Sequence, residues 1–151
     1  MEKEFIEITR IQQEGYTPLV DYQTWRVAVL RYCDDVRVER LVSMQRHLET
    51  DEVFVLLEGN CVLVSGGNGD RPVEVECVRM IKNQLYNVKK GVWHTHALDE
   101  EGSVLIIENQ NTCDENSPTE ALSGQQIQVI REQISFREAR DRGVQTGSTS
   151  F

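Results

Sequence analysis

The stretch QRHLETDEVFVLLEG, residues 45–59, combines a histidine, an acidic residue and an apolar run in close succession. A second stretch, VKKGVWHTH at residues 88–96, contains the other two histidines of a sequence that has three. In each stretch two polar side chains are two residues apart, namely Gln45 and His47 in the first and His94 and His96 in the second. Residues at this spacing on a β-strand project from the same face. The two stretches therefore predict two strands that direct imidazoles and a carboxylate toward one point.

These residues resemble the two signature motifs of the cupin superfamily. The first motif is His-x-His, four residues, glutamate, six residues and glycine, and the matching positions are Gln45, His47, Glu52 and Gly59. The second motif is glycine, five residues, Pro-x-Gly, two residues and histidine, and the matching positions are Asn83, Lys89, Gly91 and His94. The resemblance covers roughly residues 24 to 110. It implies an all-β fold, the double-stranded β-helix or jelly-roll barrel of the cupins.

The sequence departs from the family pattern at some motif positions. Gln45 stands where the family has its first histidine, and Asn83 and Lys89 replace the family's glycine and proline. Asparagine tolerates a left-handed backbone, so the change at position 83 is compatible with the same fold. The change at position 45 removes one imidazole from the family's set of metal ligands.

The resemblance implies that His47, Glu52 and His94 bind one divalent transition metal. Two imidazoles and a carboxylate suit iron, manganese, nickel or zinc and leave coordination positions for water or substrate. A further ligand would come from Gln45, through its amide oxygen, or from His96, which shares a face with His94. The alternative for the same residues is a hydrogen-bonded polar pocket that binds an anion without metal.

Strand alternation predicts the walls of a substrate pocket. Phe54 and Leu56 follow Glu52 on the same face and would form an apolar floor. Tyr86 precedes the turn of the second motif, and it would either present its hydroxyl to a ligand or pack as a buried aromatic ring. Trp93 lies on the face opposite His94, so we expect it to pack within the protein rather than stack on a substrate.

Composition limits the partners of the chain. Its 151 residues are enough for one domain with a sizeable core. Sixteen basic residues against 25 acidic ones give a net charge of −9, which argues against nucleic acid or an anionic membrane surface as the main partner. The first twenty residues contain no continuous apolar segment, so we expect neither a signal peptide nor a transmembrane helix. These features predict a cytoplasmic protein with a small-molecule ligand.

The four cysteines are widely spaced and form no Cys-x-x-Cys pair, which gives no support to a zinc ribbon or a thioredoxin-like site. They are Cys33, Cys61, Cys77 and Cys113. In a cytosolic chain we expect them to be free thiols. Cys61 and Cys77 fall in strand-like runs and are predicted to be small buried hydrophobes.

The pattern of strands and turns divides the chain into four parts. Residues 1–23 are predicted to be an N-terminal arm and loop, because Pro18 cannot donate to a strand ladder. Residues 24–112 are predicted to form the barrel, and their strand-like runs are 24–32, 36–42, 52–57, 61–65, 72–78, 85–88, 93–97 and 103–109. Residues 113–140 are predicted to be a linker and a C-terminal α-helix. Residues 141–151 have little to bury and are predicted to be disordered.

Patterns in the last part of the chain predict where the helix begins and how it packs. Ser123 and Gln126 form a capping box at its start. Ile127, Ile130 and Ile134 share one helical face, which predicts that the helix packs on the barrel.

Both faces of residues 53–57 are apolar, whereas a barrel strand that faces water should alternate. The outward side chains of Val53, Val55 and Leu57 are therefore predicted to meet another surface. A homodimer is the expected partner of this surface, and the C-terminal helix is the alternative.

Three functions are compatible with these features. The first is a metal-binding cupin that acts on a small polar molecule by oxygenase, isomerase or lyase chemistry. The second is a non-enzymatic cupin module that binds a small ligand, and the third is a metal-free cupin that dimerises. Because one scaffold supports many chemistries, the resemblance alone does not decide between an enzyme and a binding protein.

Overall fold

Ten short strands and one α-helix follow one another in the computed structural model, which describes residues 5–136. The strands are β1 (Gly15–Tyr22), β2 (Trp25–Arg31), β3 (Ser43–Gln45), β4 (Glu52–Glu58), β5 (Cys61–Ser65), β6 (Glu76–Arg79), β7 (Tyr86–Val88), β8 (His94–Leu98), β9 (Ser103–Asn109) and β10 (Thr119–Ala121). The helix, α1 (Gly124–Gln133), follows the last strand. No helix within residues 5–136 is long and apolar enough to cross a membrane. The tail predicted to be disordered, 141–151, lies outside the described residues.

The strands form two antiparallel sheets of five strands each, which face one another. The first sheet has the order β1-β2-β9-β4-β7 and the second has the order β10-β3-β8-β5-β6. The chain passes from the first sheet to the second at the turn between β4 and β5, where Gly59 has a φ of +66°. This arrangement is the jelly roll that the motifs imply.

An apolar cluster fills the space between the two sheets. Alternate residues of β2, β4, β5 and β9 point into it, and its buried members include Ala28, Leu30, Phe54, Leu63 and Ile106. We call this set the inner cluster. It fixes the separation of the sheets and supports the strand ends that hold the polar residues described below.

A second apolar cluster lies on the outer face of the second sheet. Val62 and Val64 of β5 belong to it together with Ile130 and Ile134 of the C-terminal segment. Trp93 is also part of this cluster and is 2% exposed, so the prediction that it is a packing residue is confirmed. The helix therefore covers the second sheet, as the sequence predicts.

The predicted capping box at the start of α1 is confirmed. The Gln126 amide nitrogen donates to Ser123 Oγ at 3.1 Å, and the Ser123 amide nitrogen donates to Gln126 Oε1 at 2.9 Å. The Gln126 side chain also donates through Nε2 to the carbonyls of Pro72 and Val73, at 3.1 and 2.9 Å. One residue thus caps the helix and fastens a loop to it.

The prediction that residues 15–22 are a loop is wrong, because this segment forms strand β1. It pairs with β2, and its register shifts between Pro18 and Val20. β1 is the edge of its sheet, where a proline without an N–H and a bulge are both tolerated. Strand β10 likewise lies in the predicted linker and pairs with β3. The sheets therefore extend beyond residues 24–112 at both ends.

Residues 36–42 are predicted to be a strand, but the structure has two short 3-10 turns here, Asp34–Val36 and Val38–Arg40. The Asp34 carboxylate accepts from Arg37 Nη1 at 2.7 Å and from Arg40 Nη2 at 2.5 Å. Backbone hydrogen bonds from the Arg37 nitrogen to the Asp34 carbonyl and from the Leu41 nitrogen to the Val38 carbonyl close the two turns, and the exposed ion pairs accompany them. The alternation of valine and arginine in this segment therefore does not reflect a strand.

The strand predicted over residues 72–78 begins only at Glu76. Val73 is 69% exposed, and its amide nitrogen donates to the Gly66 carbonyl rather than to a neighbouring strand. The Pro72 and Val73 carbonyls accept from the Gln126 side chain, so this part of the backbone is satisfied without a ladder.

The cysteines are free thiols, as predicted. Cys61 is buried in the inner cluster, and burial raises the pKa of its thiol. Cys77 is half-buried, and burial raises its pKa to about 11. Both thiols are therefore protonated near neutral pH and behave as small apolar groups.

Candidate metal site

Three motif residues come together where strands of the two sheets begin or end. His47 follows β3, Glu52 begins β4 and His94 begins β8. Gln45 of β3 pairs with His94 across the second sheet, and the Gly91 amide nitrogen donates to the His47 carbonyl at 2.8 Å. Main-chain hydrogen bonds thus hold the second motif against the first.

One carboxylate oxygen of Glu52 is the point on which the two imidazoles converge. Nε2 of His94 lies 2.9 Å from Glu52 Oε1, and Nε2 of His47 lies 3.2 Å from the same oxygen. The potential ligand atoms of the three residues all lie within 4.8 Å of one another. All three side chains are buried. The structure therefore brings together the three residues that the sequence predicts as metal ligands.

The second ring nitrogen of each histidine is held by a hydrogen-bond acceptor. Nδ1 of His94 lies 2.9 Å from the Val92 carbonyl, which can only accept, so this nitrogen carries a proton. Nδ1 of His47 lies 2.7 Å from the Ser117 hydroxyl, which donates its own proton to Asn116 Oδ1 at 3.1 Å. The hydroxyl therefore accepts from His47. In their neutral forms both rings direct the lone pair of Nε2 toward Glu52.

The lone pairs that meet at this point require a cation. Neutral rings of these tautomers have no proton on Nε2 to donate to Glu52, so either an added proton or a metal ion must bind between them. A set of two imidazole nitrogens and one carboxylate suits a divalent transition metal. The hydrogen bonds at Nδ1 are those that orient metal-binding histidines in other proteins. The residues present therefore fit such an ion.

The electrostatics of the three residues agree with this requirement. Burial alone would raise the pKa of Glu52, but hydrogen bonds with His47 and His94 outweigh burial and hold that pKa well below its usual range. Burial likewise disfavours the charged form of His47, and the hydrogen bond with Glu52 outweighs it and raises the pKa of the imidazole. The site thus contains a buried carboxylate that stays ionised and needs a positive partner.

Gln45 and His96, the two candidates for a further ligand, occupy different places. The Gln45 side chain lines the same cavity as the three residues, and its Nε2 donates to the Ser117 carbonyl at 3.1 Å. His96 also lines this cavity but lies outside the cluster formed by the other three. Its Nδ1 is buried without a hydrogen-bond partner among residues 5–136, and burial lowers the pKa of the ring. The imidazole of His96 is therefore neutral.

The variant Gln45→His tests whether position 45 belongs to the metal's surroundings. We expect affinity for zinc or nickel to rise about tenfold, because imidazole is a better donor than an amide oxygen for these metals. Competition with a chromophoric chelator measures the change. The same substitution in a His96→Ala background is the control. Unchanged affinity in both backgrounds would show that position 45 does not reach the metal.

The cluster lies in the wall of a cavity of about 480 Å³ between the two sheets, which we call the polar cavity. Phe54 and Leu56 do not line it, because both are buried in the inner cluster. The Phe54 ring is edge-on to His94 and His96, with ring centroids 6.3 and 5.8 Å apart. The prediction that Phe54 and Leu56 form the pocket floor is therefore wrong, since neither lines the cavity and Phe54 instead packs against the histidines from the core.

Tyr86 also lies outside the polar cavity. Its hydroxyl accepts from the Ile81 amide nitrogen at 2.9 Å and donates to Gln84 Oε1 at 2.8 Å. Its ring packs against the inner cluster. The structure thus has the second of the two alternatives for this residue, a packed aromatic ring with its hydroxyl satisfied locally.

Three residues that the motifs do not indicate line the wall opposite the histidines. These are Tyr16 of β1, Arg26 of β2 and Glu108 of β9. The Tyr16 hydroxyl donates to Glu108 Oε1 at 2.5 Å, and Arg26 pairs with Asp21 at 2.7 Å. Burial, with the neighbouring Glu52 charge, raises the pKa of Glu108 to about 7. Alternation in β9 could have indicated Glu108. This residue is two positions beyond the inward-facing Ile106, so its side chain is expected on the same face.

Comparison with known proteins supports the fold but assigns no function. No protein-family model matches the sequence, and no curated protein matches it. A protein from Planctomyces limnophilus has a similar structure, with a TM-score of 0.52 and 12% identity over 77% of this chain and 96% of that one. The QdtA 3,4-ketoisomerase from Thermoanaerobacterium thermosaccharolyticum, solved as a double mutant in complex with TDP, gives a TM-score of 0.50 and 12% identity over 70% and 83%. A cupin-2 domain containing protein from Shewanella frigidimarina gives a TM-score of 0.48 and 19% identity over 66% of this chain and 85% of that one.

Proposed function

We propose that this chain, which has the cupin fold, is a metal-dependent enzyme that acts on a small polar molecule. The observation that carries the proposal is the convergence of two Nε2 atoms on one buried carboxylate oxygen, with both Nδ1 atoms occupied elsewhere. His47, Glu52 and His94 would hold the metal. With three protein ligands, positions remain for a substrate oxygen.

A metal bound here would act as a Lewis acid on a carbonyl or hydroxyl oxygen of the substrate. The protein's own groups bind and orient that substrate in the polar cavity. Hydroxyl side chains of Ser43, Thr95 and Thr119 line it and offer hydrogen bonds. On the opposite wall, Tyr16 holds the Glu108 carboxyl in place through the bond at 2.5 Å. These groups favour a substrate with several oxygen atoms over an apolar one.

Polar lining and cavity size together support the substrate class. A volume of about 480 Å³ is within the range of sites for small ligands. In isomerase or lyase chemistry the metal would polarise a substrate oxygen, and in oxygenase chemistry it would also activate dioxygen.

The test combines metal analysis with a screen for turnover. Protein purified without chelator or immobilised nickel should contain about one divalent transition-metal ion per chain. Inductively coupled plasma mass spectrometry measures this content. Hydroxy acids, keto acids and sugars are then screened with that metal. Metal-dependent turnover that is abolished in both His47→Ala and His94→Ala supports the enzyme. Ligands that bind equally well to the metal-free protein and are never converted would instead favour the binding module.

We also propose that the chain forms a homodimer through the outer face of the first sheet. Val53, Val55 and Leu57 are half-buried on this face, and α1 does not cover them because it packs on the second sheet. Neighbouring strands add further apolar side chains, which are 36–57% exposed: Val20, Tyr22, Trp25 and Ile107. Contiguous apolar surface of this kind is typical of interfaces.

Light scattering at micromolar concentration should therefore give twice the mass of one chain. Ile107 pairs with both Val27 and Val53, so it lies near the middle of the face. Ile107→Lys should weaken the dimer at least about tenfold, because it buries an unpaired charge. Val73→Lys is the control, because Val73 is exposed and lies outside both sheets, and this variant should leave the dimer unchanged. A monomeric mass for the wild type would contradict the dimer.

A further inference from the structure

A second cavity, of about 410 Å³, lies on the other side of His94 from the polar cavity. It opens between β7 of the first sheet and strands β5 and β6 of the second. Leu63 and Val78 line it from one sheet, and Tyr86 and Val88 line it from the other. Its walls are mostly carbon, and we call it the apolar cavity. Of the residues that line the two cavities, His94 is the one they share.

Strand register explains why this cavity is apolar. Leu63 pairs with Val78 across β5 and β6, and both side chains point between the sheets. Tyr86 and Val88 point between the sheets from β7, since they pair with the inward-facing residues Phe54 and Glu52. The short edge strands β6 and β7 do not pair with each other, so space remains between them.

Among residues 5–136, one side chain with a permanent charge, Lys89, lines the apolar cavity, and the Asp51 carboxylate lies near it outside that lining. Lys89 is exposed, and no acidic residue within the described part of the chain lines the cavity. Leu85, which precedes β7 as Lys89 follows it, also lines the cavity and is 64% exposed although its side chain is fully apolar. The exposed rim of the cavity therefore has an apolar side chain at one end of β7 and a cation at the other. This combination differs from the polar cavity, whose lining includes Glu52, Glu108 and Asp114.

We propose that the apolar cavity binds a small amphipathic carboxylate. Its alkyl or aryl part would contact Leu63, Val78 and Val88, with the inner end against the His94 ring. Its carboxylate would pair with Lys89 at the mouth. Burial of the hydrocarbon supplies the affinity, and the single positive charge selects an anion over a neutral molecule. The site does not depend on a metal, so it stands apart from the proposed function.

Octanoate is a suitable probe for this site. The chain contains three histidines, and their ring signals in nuclear magnetic resonance spectra report which cavity the probe enters. All three line the polar cavity, but His94 alone lines the apolar cavity. Octanoate is titrated into protein dialysed against chelator while ring carbon–proton correlation spectra are recorded. The His47→Gln and His96→Gln variants assign the signals. We expect the ring signals of His94 to shift and those of His47 to remain in place.

Lysine variants test the carboxylate contact. Lys89→Gln should weaken octanoate binding about threefold, the size of an exposed ion pair, and should leave 1-octanol binding unchanged. Lys90→Gln is the matched control, because Lys90 is also exposed but does not line the cavity, and neither probe should be affected. Equal effects of the two substitutions would refute the pairing with Lys89.

A cavity-filling variant tests the location. Val78→Phe should abolish binding of both probes, provided that its circular dichroism spectrum matches the wild type. If Val78→Phe does not fold, the histidine signals and the lysine pair still decide the question. Absence of any shift at millimolar octanoate would overturn the proposal. Shifts of His47 and His96 as large as that of His94 would also overturn it, since they would place the ligand in the polar cavity.

Discussion

The variant Glu52→Ala should lose most of its bound divalent metal on dialysis, with an affinity at least about a hundredfold below that of the wild type. Glu52 supplies the oxygen that both histidines face, and its negative charge would attract the cation directly. Metal content after dialysis and competition with a chelator measure the loss. Glu52→Gln should behave in the same way while it preserves the volume of the side chain.

Glu49→Ala is the matched control for this experiment. Glu49 belongs to the same motif segment, but it is exposed, and its carboxylate accepts from Asn111 instead of a histidine. Its removal should leave metal content unchanged. Equal metal content in wild type, Glu52→Ala and Glu52→Gln would show that the three residues form a hydrogen-bonded polar pocket without metal.

The variant Gly59→Ala should be destabilised by about 3 kcal/mol or more, because two effects add. Gly59 has a φ of +66°, a backbone conformation that residues other than glycine rarely adopt. A Cβ at this position would also lie 2.5 Å from the carbonyl carbon of Glu101 and from the amide nitrogen of Gly102. Both of those atoms belong to the backbone and cannot move aside cheaply.

Gly91→Ala separates the two effects. Gly91 has a φ of +83°, but no heavy atom would lie within 4 Å of its added Cβ. This variant should therefore lose only about 1 kcal/mol, the cost of the left-handed backbone. Urea unfolding of both variants gives the free energies. Equal losses would mean that crowding around Gly59 is relieved by movement of the loop at Glu101.

Prediction from sequence succeeded where a residue's neighbours are fixed by local spacing. The separation of His94 and His96 places them on one face of β8, and the capping box places the start of α1. The runs at residues 61–65 and 103–109 coincide with β5 and β9. In each case a period of two, or a cap followed by a helical face, is set within the segment itself.

Prediction failed where distant contacts outweigh the local pattern. Pro18 suggests a loop, yet the edge of a sheet accepts it because its missing N–H has no partner strand to bond. The valines of residues 36–42 suggest a strand, but the backbone here bonds to itself in two short turns and has no partner strand. Pairing between β1 and β2 also places Tyr16 near Glu108, and no pattern within either segment shows that proximity.

The Ser117 hydroxyl and carbonyl bear on when the metal site becomes functional as the protein is made. Ser117 holds His47 through its hydroxyl and Gln45 through its carbonyl, although it is 70 and 72 residues away from them in the chain. A ribosome must therefore synthesise the first nine strands and the turn after them before the imidazole of His47 is oriented. A metal that binds the oriented imidazole would therefore enter late in folding. In refolding experiments, metal uptake should lag behind the formation of backbone structure.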